Sequence, residues 1–256
     1  MKTILFRSLF IGVATFVLMS LSDTSIRKHV RIGILGGMGP HTSSHFALDI
    51  IKEYYAKKAY QPNIILSNIR QNATYREQLI RGEFSSEFLS ILLEGITQLN
   101  SSGADYIAIP CNTVHFYLDT LRSLSATPIF SIMEESAHFM SEKGYTKVGI
   151  LGTALTLKQG LHKYALKEKG IQLLQPKNTH LLDEILERIF ENQFTHKDKL
   201  SLQSMIKDLG NQGAEAVILG CTDIQEHIKQ SDSALPLVDT FEVLKRSCLK
   251  KLYEGI

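Results

Sequence analysis

The chain reads as an α/β protein made of two similar halves, each a parallel sheet flanked by helices, and two repeated patterns carry that expectation. A short apolar strand ending in glycine occurs twice, as RIGILGGMGP from Arg31 and as KVGILGTALT from Lys147. A Gly-Ala-acid turn leading into a buried strand and a cysteine also occurs twice, as SGADYIAIPCNT from Ser102 to Thr113 and as QGAEAVILGCTD from Gln212 to Asp223. Shared order and spacing of this kind mark an internal repeat of whole supersecondary units.

Helical patterns lie between these strands. Phe88, Leu92, Ile96 and Leu99 recur at helical spacing within 84–99, and a second pattern runs from Leu181 to Phe190. Alternating strands and helices predict two Rossmann-like or flavodoxin-like domains with parallel sheets, here related by a pseudo-twofold axis. Ligands in such folds sit at the carboxyl ends of the strands, which places the site in the cleft between the halves. The expected division is a first domain of 30–134 plus 236–256 and a second of 135–235. PIFSIM (Pro128 to Met133) and PLVDT (Pro236 to Thr240) are read as edge or crossing segments.

Residues 1–22 differ from the rest. Lys2 and Arg7 precede an apolar run from Leu9 to Leu21 that ends in Ser20-Leu21-Ser22, the pattern of a secretory signal peptide. Export to the periplasm or outside the cell is therefore expected, with an uncleaved N-terminal anchor or a cytoplasmic protein as the alternatives. The 28 basic and 26 acidic residues nearly cancel, and no basic stripe with interleaved aromatics is present, so nucleic acid is not an expected partner.

Cys111 and Cys221 occupy equivalent places at the ends of the repeated strands. Across a cleft they would stand on opposite faces of a small molecule, which is what inversion of a stereocentre by proton transfer requires: one thiolate as base and one thiol as acid. The polar residues after each cysteine suit a strand that turns into a helix, where backbone N–H groups stabilise a thiolate or hold a carboxylate. Simple burial of both thiols, or a disulfide between them, are the competing readings. Cys248, in FEVLKRSCLKKL, reads as packing on a C-terminal helix. His115 follows Cys111 by four, too few ligands for a metal centre. GILGGMG lacks both the full dinucleotide fingerprint and the phosphate-loop lysine.

At GGMGP (Gly36 to Pro40), PCNTVH (Pro110 to His115) and GCTD (Gly220 to Asp223) the sequence resembles the aspartate/glutamate racemase superfamily, and within it the aspartate racemase branch. The resemblance runs from about Val30 to the end. It implies a two-domain α/β fold with the site between domains, often as a homodimer, and a reaction without pyridoxal phosphate, other cofactor or metal. It further implies that Cys111 and Cys221 are the acid/base pair, that Asn112, Thr113 and Thr222 contact the substrate carboxylate, that Met38 lines the pocket, and that Thr153 is its second-half counterpart. For the side-chain carboxylate of the substrate the matching cation is Arg76, with Arg70 second. The chain departs from the family in carrying Asp223 where Glu is common, and in offering Lys197 and Lys199 only in a shifted register. The resulting expectation is an aspartate racemase. A glutamate or broad-specificity racemase, a cis-trans isomerase of the same superfamily, and an exported amino-acid-binding protein without catalysis are the alternatives.

Overall fold

The structure is a computed structural model that describes residues 29–255 apart from 73, 76, 79–82 and 84. The leader at 1–22 lies outside the described residues. Among the described residues no helix is long and apolar enough to cross a membrane.

The first half comprises β1 (Arg31–Gly36), α1 (Pro40–Lys58), β2 (Asn63–Asn68), α2 (Ser86–Ser101), β3 (Tyr106–Ala108), a 3-10 turn at Thr113–Tyr117, α3 (Leu118–Leu124) and α4 (Ile132–Glu142). The second comprises β4 (Lys147–Leu151), α5 (Ala154–Lys158), α6 (Leu161–Glu168), β5 (Gln172–Leu174), α7 (Thr179–Phe190), α8 (His196–Asn211) and β6 (Ala216–Leu219). A 3-10 turn at Ile224–Glu226, another at Gln230–Asp232, β7 (Leu237–Asp239) and α9 (Thr240–Glu254) complete the chain.

Every strand pairing is parallel, in the orders β2-β1-β3 and β5-β4-β6-β7. The first sheet carries a rudiment of a fourth strand: Ile107 bridges Ile129, its N–H donating to Pro128 and its carbonyl accepting from Phe130. Val217 donates to Pro236 in the same way at β7. The two proline-led segments are thus equivalent edges. The chain from 236 onward divides between the halves, a correction to its assignment to the first: β7 hydrogen-bonds to the second sheet, whereas α9 packs on α1 and β1 of the first half and on α4, which straddles the expected boundary at 134 and also packs on α6.

Local chemistry explains the repeat. In both halves the turn glycine adopts a positive φ, +73° at Gly103 and +95° at Gly213, which a side chain would resist. The acid two residues on then caps the paired strand: Asp105 accepts from the Arg31 N–H at 2.9 Å and Glu215 from the Lys147 N–H at 3.1 Å. The helix expected from Phe88, Leu92, Ile96 and Leu99 is α2, and all four side chains are buried. Cys248 is fully buried beside Phe46 and Leu244, where α9 covers the first sheet.

Helix α2 crosses the sheet at Gly95. A Cβ there would lie 2.4 Å from Leu35 Cδ1 and 2.6 Å from Ile69 Cγ2. Alanine normally gains about 1 kcal/mol over glycine in a helix, yet overpacking costs about 1–3 kcal/mol, and here the contact prevails. Gly95→Ala is expected to lower the urea midpoint; a higher midpoint would mean that the helix backs away from the sheet freely.

Candidate active site

Both repeated strands end at one pocket. Its lining includes Met38 and Gly39 from the loop after β1, Pro110 to Thr113 after β3, Thr153 after β4, Cys221 to Asp223 after β6, and also Gln71 and Phe190. The cavity is small, about 40 Å³, room for only a few waters.

Cys111 and Cys221 are free thiols, Cys221 buried and Cys111 open on one side. Each stands just before a 3-10 turn, and the turns treat them alike. The Val114 and Thr113 N–H groups point at the Cys111 sulfur, and those of Asp223 and Ile224 at the Cys221 sulfur, favouring thiolate. Burial outweighs them. It pushes Cys111 up to about 11, helped by the negative charge of Asp223, and raises Cys221 well above the usual thiol range, helped by Asp223 and Cys111. Near neutrality both are therefore thiols.

Asp223 is built into this arrangement. Thr42, at the start of α1, donates its hydroxyl to Asp223 Oδ1, and the Cys221 sulfur lies 3.9 Å from Oδ2. The carboxylate has thus one oxygen held by the first half and the other directed at the second half's thiol.

Polar bridges join the halves at the cleft floor. Asn112 is buried, with Oδ1 accepting from His162 Nε2 at 2.9 Å and Nδ2 donating to Thr240 Oγ1 at 2.9 Å. Thr240 in turn donates to the Leu219 carbonyl at 2.9 Å, at the end of β6. The Thr113 and Thr153 hydroxyls meet at 3.1 Å, and Thr222 Oγ1 donates to the Pro110 carbonyl at 3.3 Å. The three threonines expected to meet a substrate thus use their hydroxyls across the cleft.

His115 has a positioning task. Ile132 N–H donates to its Nε2 at 3.1 Å, so Nδ1 carries the proton and donates to the Cys111 carbonyl at 2.8 Å. Both nitrogens are thus used in holding the cysteine turn to α4. Phe190 is fixed by the end of α7, where Arg188 binds Asp198 at 2.6 Å and the neighbouring guanidinium holds that carboxyl down at about 2.

The structure brings together Met38, Cys111, Asn112, Thr113, Thr153, Cys221 and Thr222. Arg76 lies outside the described residues. Arg70 does not join the site; it is exposed and lines a separate cavity with Asn72 and Glu94. Lys199 pairs with Asp232 at 2.9 Å and Lys197 is exposed on α8, neither at the pocket. Sequence reasoning missed Gln71, Phe190, Thr42, His162 and Thr240. Of these only Phe190 carried a signal, and it pointed to helix packing.

Two predictions follow from the buried groups. Asp223→Asn removes a charge that raises both thiols, so Cys111 alkylation by iodoacetamide, followed by peptide mapping, should rise at lower pH than in the parent. An unchanged profile would remove Asp223 from control of the thiol. Burial also holds His115 down at about 4 and His162 at about 3. Their unfolded values lie near ~6.5, so on acidification the unfolded chain takes up these protons first, and stability is lost as pH falls from about 6.5 toward 4. His162→Gln, which still donates but does not charge, should flatten the urea midpoint over that window.

Comparison with known proteins identifies a family and a shared fold. Residues 35–248 match the family described as Asp/Glu/Hydantoin racemase, a span that holds both pocket cysteines. The chain is 25% identical over 224 residues to the broad specificity amino-acid racemase RacX of Bacillus subtilis, covering 84% of this chain and 95% of that one. It is similar in structure to an aspartate racemase homologue from Pyrococcus horikoshii, with a TM-score of 0.70 and 26% identity over 87% of this chain and 99% of that chain. A further neighbour, an Asp/Glu racemase by assignment, from Yersinia pestis, superposes with a TM-score of 0.77 at 23% identity, covering 88% of this chain and 99% of that chain, which speaks for the fold alone.

Proposed function

Because the chain belongs to the Asp/Glu/hydantoin racemase family, we propose that it interconverts the enantiomers of an amino acid by proton transfer between Cys111 and Cys221, without a cofactor. The observation that carries this reading is the pair of free thiols at one pocket, one from each half, each receiving two backbone N–H groups from its own turn.

The chemistry follows from the charges. The resting pair holds two protons, and a racemase needs one thiolate. Asp223 Oδ2, the oxygen not engaged by Thr42, accepts the Cys221 proton. An arriving α-ammonium group brings positive charge beside Asp223 and the thiols, which stabilises the thiolate. The Cys221 thiolate then removes the α-proton from one face of Cα while Cys111 delivers its proton to the other; the reverse reaction begins with Cys111. The Thr113, Val114 and Ile224 N–H groups stabilise whichever sulfur bears the charge.

Aspartate is the substrate favoured by the sequence motifs, and Arg76 the residue proposed to meet its side-chain carboxylate. A broad-specificity racemase is the second reading. Met38, Gln71 and Phe190 give the described lining a mostly uncharged character, and Asp223 is itself acidic, which suits neutral side chains; the similarity to RacX supports the same view. Export, from the leader pattern, remains part of the proposal.

The test is α-proton exchange in deuterated water under reducing conditions, with both enantiomers quantified by chiral chromatography across aspartate, glutamate and neutral amino acids. Exchange with racemisation, lost in the Cys111→Ala, Cys221→Ala double variant, is expected. Arg76→Ala should raise KM at least about tenfold for aspartate and leave neutral substrates unchanged, since a lost charged hydrogen bond is worth about 1.5–3 kcal/mol. Binding without exchange for every amino acid would overturn the racemase and favour the binding-protein alternative.

A further inference from the structure

A second cluster of chemically competent side chains stands next to the pocket, on the outer side of the Thr42–Asp223 contact. His41 and His45 lie one helical turn apart on α1, so they project from one face. Their rings meet edge to face with centroids 4.2 Å apart. Glu226 reaches the same place from the second half, at the end of the 3-10 turn that follows Cys221, and its Oε1 is 4.0 Å from His45 Nδ1. One ligand atom from each of the three residues falls within 4.8 Å of the others.

We propose that His41, His45 and Glu226 bind a single borderline divalent transition metal, Zn2+ or Co2+, as a clasp between the two halves. The donor set is two imidazoles and a carboxylate, which suits a tetrahedral ion with one position left for water. Bonds of about 2.0–2.1 Å around a tetrahedral centre put ligand atoms about 3.3 Å apart. The three side chains are exposed and need draw in by only about 1.5 Å at most from the 4.8 Å limit. An all-oxygen set would favour Mg2+ or Ca2+, and the two imidazoles argue against those ions.

The position gives the metal a consequence. His41 and His45 flank Thr42, which holds Asp223, and Glu226 is three residues beyond Asp223. A metal joining them ties the first-half loop and helix to the second-half cysteine turn across the rim of the cleft. The cavity of about 40 Å³ is too small to admit an amino acid without movement of that rim, so metal binding holds it shut and slows turnover. This consequence rests on the racemase reading; the binding itself does not.

The probe is Co2+ alone, titrated into the full-length protein and followed by its d–d absorption. One equivalent is expected to bind in a tetrahedral spectrum without thiolate-to-cobalt charge transfer, to be displaced by Zn2+, and to bind equally in the Cys111→Ser, Cys221→Ser variant. His41→Ala with His45→Ala should abolish the signal, and Glu226→Gln should weaken binding at least about tenfold. In the parent, Zn2+ should slow α-proton exchange and a chelator should restore it, whereas the double histidine variant should exchange at the same rate with and without Zn2+. A spectrum with sulfur charge transfer, or binding retained without the two histidines, would place the metal on the thiols and overturn the site. No binding at all would reduce the cluster to an ion pair. Metal binding without any effect on exchange in an active protein would overturn the clasp.

Discussion

The amide of Asn112 is the joint on which the cleft depends. Its carbonyl is committed to His162 on α6 and its amine to Thr240 at the start of α9, whose hydroxyl reaches the end of β6. One buried side chain of the first half therefore sets the position of the second sheet's central strand, and so of Cys221 two residues later. A buried amide left without a partner costs about 1–3 kcal/mol, so each link enforces the next. The low proton affinity of His162 belongs to the same economy: a charged imidazole in that setting would carry an unpaired cation into the core.

Around this joint two further bridges are neutral, beside the charged Thr42–Asp223 contact. Thr113 to Thr153 and Thr222 to Pro110 are neutral hydroxyl contacts of 3.1 and 3.3 Å, each worth about 0.5–1.5 kcal/mol net. They join the two cysteine turns beside a cavity of about 40 Å³. The two Asn112 amide links are the firmer set, and the hydroxyl contacts between the two cysteine turns are the weaker. His115 adds to the firmer set by holding the Cys111 carbonyl against α4.

The fold was legible because its repeat is written in backbone-level constraints. Gly103 and Gly213 need a positive φ, and Asp105 and Glu215 cap the neighbouring strand from fixed offsets, so similar local sequences reproduce the same corner in both halves. The cysteines were legible for the same reason, as the ends of strands that those corners begin. Gln71, Phe190, His162 and Thr42 were not. Their placement follows from how the two halves dock, and Thr42 and Asp223 are separated by 181 positions, a pairing no local pattern encodes. The exchange of Glu for Asp at 223 was visible as a departure, but its meaning became clear only with Thr42 beside it. His41 and His45 were not singled out in the sequence, since Glu226 comes beside them only through the docking of the two halves.

Asp223 places a constraint on any proton transfer at this pocket. A carboxylate beside two thiols raises both, and burial raises them further, so the protein alone holds the pair in the form that does no chemistry at neutral pH. The four N–H groups aimed at the sulfurs do not offset that push. What the pocket lacks among its described lining is positive charge, and an amino acid carries it on the atom next to the reacting carbon. On the racemase reading the substrate is thus part of its own activation: its ammonium group balances the single negative charge left on the Asp223–Cys221 pair, so the thiolate forms only while the substrate is bound and the reactive sulfur is absent from the empty enzyme. On that reading the empty protein keeps both cysteines as thiols, the form that resists oxidation and disulfide exchange.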